Sequence, residues 1–143
     1  NLVKTGQLKE HATDAHELAS LLAAARRNVV DAKAQNISIE NRFDAAYKCI
    51  MQSALVALMA SGFRPDTKMP GHHQTVVQSL PKTVGLARER VVVLNALRHK
   101  RNLADYTGAS VDSSSLATCV RVAEKLLNEV TQWLGKNHPQ LLP

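Results

Sequence analysis

The stretch that decides the fold is IENRFDAAYKCIMQSALVALMAS, residues 39–61. Its apolar side chains recur every three or four positions, which places them on one side of an α-helix. Ser38 is a favourable N-cap residue before the stretch, and Gly62 suits the position that follows a helix C-terminus. The pattern predicts one long helix, Ile39 to Ser61, with these residues on its buried side: Phe43, Ala46, Tyr47, Ile50, Met51, Ala54 and Leu58.

The same periodicity predicts three further long helices on either side of this one. The first is expected to begin at a cap, Thr13 or Asp14, and to end near Gln35-Asn36. The second should run from about Leu86 to Asp105. The last should begin in the run 112–115, which is rich in N-cap residues, and extend beyond Leu134. A short helix is expected from Gly71-His72-His73 to about Leu80, and Pro81 should end it because proline lacks an amide hydrogen.

The fold class that follows is all-α, an up-and-down bundle of four long helices plus a short fifth helix. No segment has a strand pattern that competes with the helical period. The 143 residues are expected to form a single domain, residues 1–143, with residues 1–12 and 136–143 at its periphery. The tail from His138-Pro139 onward is expected to fray.

Composition narrows the class of partner. The net charge of +6 fits a ligand that carries phosphate or carboxylate, such as RNA or a nucleotide. Cys49 and Cys119 lie in apolar helical contexts, which indicates buried reduced thiols and a cytoplasmic location. No segment reaches the roughly 18 apolar residues of a membrane span, so no membrane partner is expected. Nor does any motif call for a metal or a cofactor.

The residues richest in chemistry are RHKRNLADY, residues 98–106, at the end of the helix that begins with the apolar run Val91–Leu94. At about 100° per residue, one sector of this helix collects four polar side chains in line with Leu94. These four are Arg98, Arg101, Asn102 and Asp105. Two neighbouring faces are predicted to be core: Val93, Leu97 and Ala104 on one, Val92, Ala96 and Leu103 on the other.

Two interpretations of the polar sector are open. It is either a solvated helix face whose ion pairs contribute little, or a place where Arg98 and Arg101 converge on phosphate with Asp105 holding them. Arg26-Arg27 and Lys33 are interpreted as a solvated face. Tyr47 is either a core tyrosine or, with Asp44, a part of the site.

The order of these features resembles the HEPN superfamily (higher eukaryotes and prokaryotes nucleotide-binding). The resemblance rests on Asn41–Lys48, a proline-containing loop, Gly71-His72-His73, Arg101-Asn102 and Asp105-Tyr106, and it covers about Ala15 to Leu134. It implies a bundle of four to five helices and the pairing of two copies through the polar helix end. It also implies a nucleotidyltransferase-type antitoxin as a partner.

The catalytic members of that superfamily are metal-independent ribonucleases with an Arg, usually followed by Asn, and a His after four to six intervening residues. Arg101 and Asn102 match the first half, but Tyr106 stands where the His is expected. A tyrosine with a pKa near 10 is a poor base at neutral pH. His72 and His73 are therefore the candidates for a relocated base.

Three functions follow as hypotheses. The first is a HEPN-like subunit that binds RNA or nucleotide phosphate without the nuclease signature, through these residues: Arg98, Arg101, Asn102, Asp105, Tyr106, His73, Tyr47 and Asp44. The second is a metal-independent endoribonuclease toxin with Arg101, Tyr106 and His72 in catalytic roles. The third is a non-catalytic dimeric helical adaptor whose polar stripe is a dimer seam.

Overall fold

A computed structural model describes residues 6–142. Its elements are, in chain order, β1 (Leu8–Glu10), α1 (Ala15–Lys33), α2 (Ile39–Ala60), β2 (Phe63–Pro65), α3 (His72–Gln78), α4 (Leu80–Thr83), α5 (Arg88–Thr107), α6 (Ser113–Asn137) and a 3-10 turn (Pro139–Leu141). The predicted all-α bundle is confirmed, and buried side chains from its four long helices form one continuous hydrophobic core.

Capping groups set where these helices begin. Asp14, rather than Thr13, accepts a hydrogen bond from the Glu17 amide at 2.8 Å and caps α1. Ser38 caps α2 in the predicted way, by accepting from the amide of Asn41 at 3.2 Å. Asp112 does the same for α6, which starts one residue later.

The central element is α2. Most of its residues from Phe43 onward are buried, and it packs against α1, α6, α3 and α5. The thiols of Cys49 and Cys119 lie in the α2–α6 contact, where burial raises the pKa of Cys49 to about 11 and that of Cys119 to about 12. Both cysteines are therefore buried, protonated thiols, as the sequence predicted.

Two expectations about irregular segments are wrong. Residues 8–10 pair antiparallel with Phe63–Pro65, Leu8 opposite Pro65, although no strand was predicted. Three-residue strands are too short for a period-2 pattern to show. Leu8 is buried in the core, so the lead segment is not wholly peripheral; residues 1–5 lie outside the described residues.

The other error concerns proline and the C-terminus. Pro81 does not end the short helix but lies in the first turn of α4, where its missing amide hydrogen costs nothing. Hence the single short fifth helix is two short helices, α3 and α4. The tail predicted to fray forms a 3-10 turn, and Leu141 packs against the core; Pro143 is outside the described residues.

The α5 helix is turned differently from the prediction. Leu94 and Leu97 are buried, but Val92 is 67% exposed and Leu103 57% exposed. The predicted core face of Val92, Ala96 and Leu103 is therefore wrong. The face of Val93, Leu97 and Ala104 is right in part, because Leu97 is buried but Val93 is exposed. The face that α5 presents to the bundle is the one that continues from Leu94 into the polar sector.

Among the helices within residues 6–142, none combines the length and the apolar character that a bilayer crossing requires.

Candidate functional site

The candidate site is a cluster of polar side chains where the C-terminal half of α5 meets α2 and α3. It contains Asp44 and Tyr47 from α2, His73 from α3, and Arg101 from α5. Arg98, also from α5, lies near enough for its charge to act on Tyr47 and His73. Because α5 turns its polar sector inward, both arginines are partly buried instead of solvated. The cluster therefore favours the convergent interpretation of the stripe over the solvated one.

Arg101 is held on several sides. Its Nε lies 3.3 Å from Oδ1 of Asp44 and 3.0 Å from Oδ2 of Asp105. Its guanidinium also lies over the Tyr47 ring, 5.4 Å from the ring centroid. A cation that contacts two carboxylates and an aromatic face is fixed in position, so Arg101 is a pre-organised donor.

Arg98, one helical turn earlier, is different. Its Nε is buried, and no hydrogen bond or ion pair joins the side chain to any other residue of the segment 6–142. Oδ1 of Asn95, three residues before it on α5, is likewise buried without a partner. Burying a nitrogen of a charged group without a hydrogen-bond partner costs free energy of folding, so each such atom requires an explanation. A bound anion would satisfy Arg98.

His73 completes the cluster from the other side. Gly71 precedes α3 with φ +75°, a left-handed conformation that glycine adopts without strain, and this turn directs the following residues toward α2. Nδ1 of His73 lies 3.4 Å from the Tyr47 hydroxyl oxygen. The neighbouring His72 packs its ring edge-on against His73, with ring centroids 4.7 Å apart.

The protonation states follow from burial and from the two arginines. Partial burial, then the charges of His72, Arg101 and Arg98, lower the pKa of His73, so its imidazole is neutral at pH 7. Burial raises the pKa of Tyr47 to about 12, although Arg101 and Arg98 oppose the shift. The site therefore pairs a neutral imidazole with a protonated phenol, next to two permanent cations.

The other predicted site residues lie at the edge of the cluster or outside it. Asp105 is exposed but contacts Arg101, and Oδ1 of Asn102 lies 3.5 Å from Nη1 of Arg101. Tyr106 is 87% exposed and lies on the outer side of α5 with Leu103. Within one chain it is therefore not placed to work with Arg101, and of the two histidines it is His73 that contacts Tyr47.

Two residues near the site were not predicted to belong to it. Lys48 forms an ion pair with Asp44 at 3.2 Å, one turn along α2, and Asn95 lies beside Arg98. The spacing of four between Asp44 and Lys48 was the available signal for the first. Nothing in the sequence distinguishes Asn95, because its isolation depends on the rotation of α5.

The chemistry of this site is set by cations rather than by metal ligands. Within residues 6–142 no three His, Cys, Asp or Glu side chains are arranged to hold a metal ion. A cavity of about 700 Å³ lies elsewhere, between α1, α2 and α6, and no residue of the cluster lines it. We assign the site to the cluster because its charged groups converge, whereas that cavity is mainly apolar.

The chain matches no protein-family model and no curated protein. Its resemblance to the HEPN superfamily stays a prediction made from the residues.

Replacing each arginine in turn by methionine separates a structural role from a binding role. Arg101→Met should lower the free energy of unfolding by about 1 kcal/mol, because Asp105 and the Tyr47 ring lose their cation and Asp44 keeps only Lys48. Arg98→Met should leave it unchanged or raise it, since an unpaired, partly buried cation is removed. Urea unfolding followed by circular dichroism measures both. An equal loss in the two variants would contradict a ligand-binding role for Arg98.

Proposed function

We propose that this chain is a HEPN-like helical domain that binds the phosphate of RNA or of a nucleotide at the α2–α3–α5 cluster. The observation that carries the proposal is Arg98, whose partly buried guanidinium has no protein partner among residues 6–142. Arg101, fixed by Asp44 and Asp105, is the second donor. Two guanidinium groups of this kind match the geometry of a phosphate.

Phosphate is favoured over a carboxylate ligand by the charge of the site and of the chain. A carboxylate is already supplied to Arg101 by Asp44, so a second anion must bring enough charge to compete. The net charge of +6 favours a polyanion in solution. His73 is neutral in the free protein, and it can donate a hydrogen bond to a bound phosphate oxygen or take up a proton beside it.

Arg98→Ala should weaken binding of a short fluorescein-labelled oligoribonucleotide by about tenfold, because one charge-assisted contact is lost. The dependence of log K on log salt should become shallower by roughly 0.7 for each phosphate contact removed. Fluorescence anisotropy across a salt series measures both. Arg88→Ala, an exposed arginine at the other end of α5, is the control and should behave like the wild type. Equal effects of the two variants, or no binding by the wild type, would refute the proposal.

A second candidate function, metal-independent RNA cleavage, is favoured by the contact between His73 and Tyr47. When Nδ1 of His73 carries the ring proton and donates a hydrogen bond to the Tyr47 oxygen, Nε2 is unprotonated and can accept a proton. Nε2 would then remove the proton of a 2′-hydroxyl, whose oxygen attacks the adjacent phosphorus. The bond to the 5′-oxygen breaks, that oxygen takes a proton from water, and a 2′,3′-cyclic phosphate remains. Arg98 and Arg101 would stabilise the charge on phosphorus.

If the chain cleaves RNA, His73→Gln should reduce the rate by about a hundredfold or more, the usual contribution of a general base. His72→Gln, at the position first considered for the base, should stay near the wild-type rate. Since the pKa of His73 is lowered, the rate should fall on acidification with a midpoint below about 6.5. Gel assays in the presence of a chelator measure this. Cleavage that survives in the His73 variant would exclude this mechanism.

The homodimer that the resemblance implies is proposed on the outer side of α5. At about 100° per residue, Val92, Ala96, Leu103 and Tyr106 lie within one sector. All four are exposed. His99 is exposed in the same sector, so the apolar stripe is interrupted by one imidazole. Large apolar side chains left together in water support a second copy packed along this side. The nucleotidyltransferase-type antitoxin stays a prediction from the resemblance.

Leu103→Glu should convert the proposed dimer into a monomer, because it places a charge in the centre of the apolar stripe without touching the core. Sedimentation velocity at micromolar concentration reports the change. Gln132→Glu on α6 adds the same charge to another exposed position and should leave the dimer intact. A wild-type chain that sediments as a monomer would rule the dimer out.

A further inference from the structure

A second group of cations lies on the same side of α2 as the site, at the α1–α2 boundary. Arg26 and Arg27 from α1 and Lys48 from α2 line a cavity of about 570 Å³. Both arginines are exposed, and within residues 6–142 neither has an ion pair or hydrogen bond. A hydrogen bond from Nδ2 of Asn28 to Oε1 of Gln52, 2.8 Å long, fixes the two helices at this level.

Lys48 connects this cavity to the site on α5. Its Nζ lies 3.2 Å from Oδ2 of Asp44, and the other oxygen of the same carboxylate lies 3.3 Å from Nε of Arg101. One carboxylate is thus shared by a cation of each group. The two groups of cations are therefore neighbours that meet at the Asp44 carboxylate on α2.

The carboxylates near this surface do not neutralise it. Asp31 lines the cavity, and Asp44 and Asp105 are engaged by Arg101, which leaves three carboxylates against five cations: Arg26, Arg27, Lys48, Arg98 and Arg101. Glu124 shares a smaller cavity with Arg26, but Lys33 pairs with it at 2.8 Å. The solvated face that the sequence predicted for Arg26-Arg27 is confirmed, since both side chains are exposed. What the sequence did not show is that they line one cavity with Lys48.

The length of this surface indicates whether its ligand is a single nucleotide or a longer RNA strand. Packed helices lie about 8–10 Å apart, so α1 and α5 on either side of α2 are separated by up to roughly 20 Å. A mononucleotide can reach Lys48 and Arg101, which share the Asp44 carboxylate, but a ligand that also contacts the arginines of α1 has to extend further. The phosphates of an extended strand repeat along its length and meet this requirement. An acidic protein could also meet such a surface, but Arg98, whose Nε is buried without a partner, and Arg101 together suit a backbone phosphate at one end.

We propose that Arg26, Arg27 and Lys48 form a second phosphate-binding subsite, so that the ligand is an RNA strand of several nucleotides that crosses α2. This inference rests on the proposed function, because the Arg98–Arg101 cluster is taken as the first subsite. One phosphate lies at that cluster, and phosphates further along the same strand lie against α1.

The test compares a labelled RNA of about eight nucleotides with a labelled dinucleotide, since only the longer strand reaches both subsites. Arg26→Ala/Arg27→Ala should weaken binding of the longer RNA by about tenfold or more and reduce its salt slope by roughly 1.4, for two phosphate contacts. Binding of the dinucleotide should not change. The control Lys82→Ala/Arg88→Ala removes the same charge from exposed positions outside this surface.

Each outcome bears on one proposal or the other. Equal weakening by the control pair, or no weakening by the Arg26/Arg27 pair, overturns the second subsite. Competition by a polyglutamate peptide as strong as that by RNA also overturns it in favour of a protein partner. Loss of dinucleotide binding in Arg98→Ala, together with an unaffected Arg26/Arg27 pair, refutes only the second subsite. If Arg98→Ala leaves dinucleotide binding intact, the proposed function itself fails.

Thermal unfolding of both double variants should match the wild type, because all four side chains are exposed.

Discussion

The enclosure of α2 is the constraint on which the rest of this structure depends. Most of its residues from Phe43 to Ala60 are buried, so a helix or loop has to cover it on most sides. Alanines at positions such as Ala46, Ala54 and Ala57 allow neighbouring helices to approach closely, and each methylene removed from water adds to the stability of the core. The arrangement of α1, α6, α3 and α5 is the consequence.

The first half of α2 is where this enclosure is incomplete, and the polar chemistry is found there. Asp44 and Lys48 are the polar exceptions on the flank of α2 that lies between α1 and α5. Between them and His73, the buried Tyr47 supplies a ring for Arg101 and a hydroxyl for the imidazole. The site thus uses the rigid centre of the bundle as its floor, which holds the side chains in position for a ligand.

This arrangement is energetically unfavourable for α5. Its inner side buries part of two arginines, while its outer side leaves Val92 and Leu103 in water. A helix optimised only for the stability of one chain would have the opposite orientation, with valine and leucine inside. Proteins retain such locally unfavourable choices where a ligand or a partner is bound. The orientation of α5 is therefore the strongest structural support for a binding function.

The sequence by itself determined the four long helices, the capped starts of α1, α2 and α6, the apolar side of α2 and the polar sector of residues 98–105. These features depend on interactions between residues a few positions apart. Only the tertiary structure decided which side of α5 faces inward, since apolar side chains lie on both sides of that helix and long-range packing selects between them. Long-range packing likewise decided that His73 contacts Tyr47, that Nε of Arg98 has no partner, and that Arg26, Arg27 and Lys48 line one cavity. Each depends on how separate helices are placed against α2, and no local pattern encodes that placement.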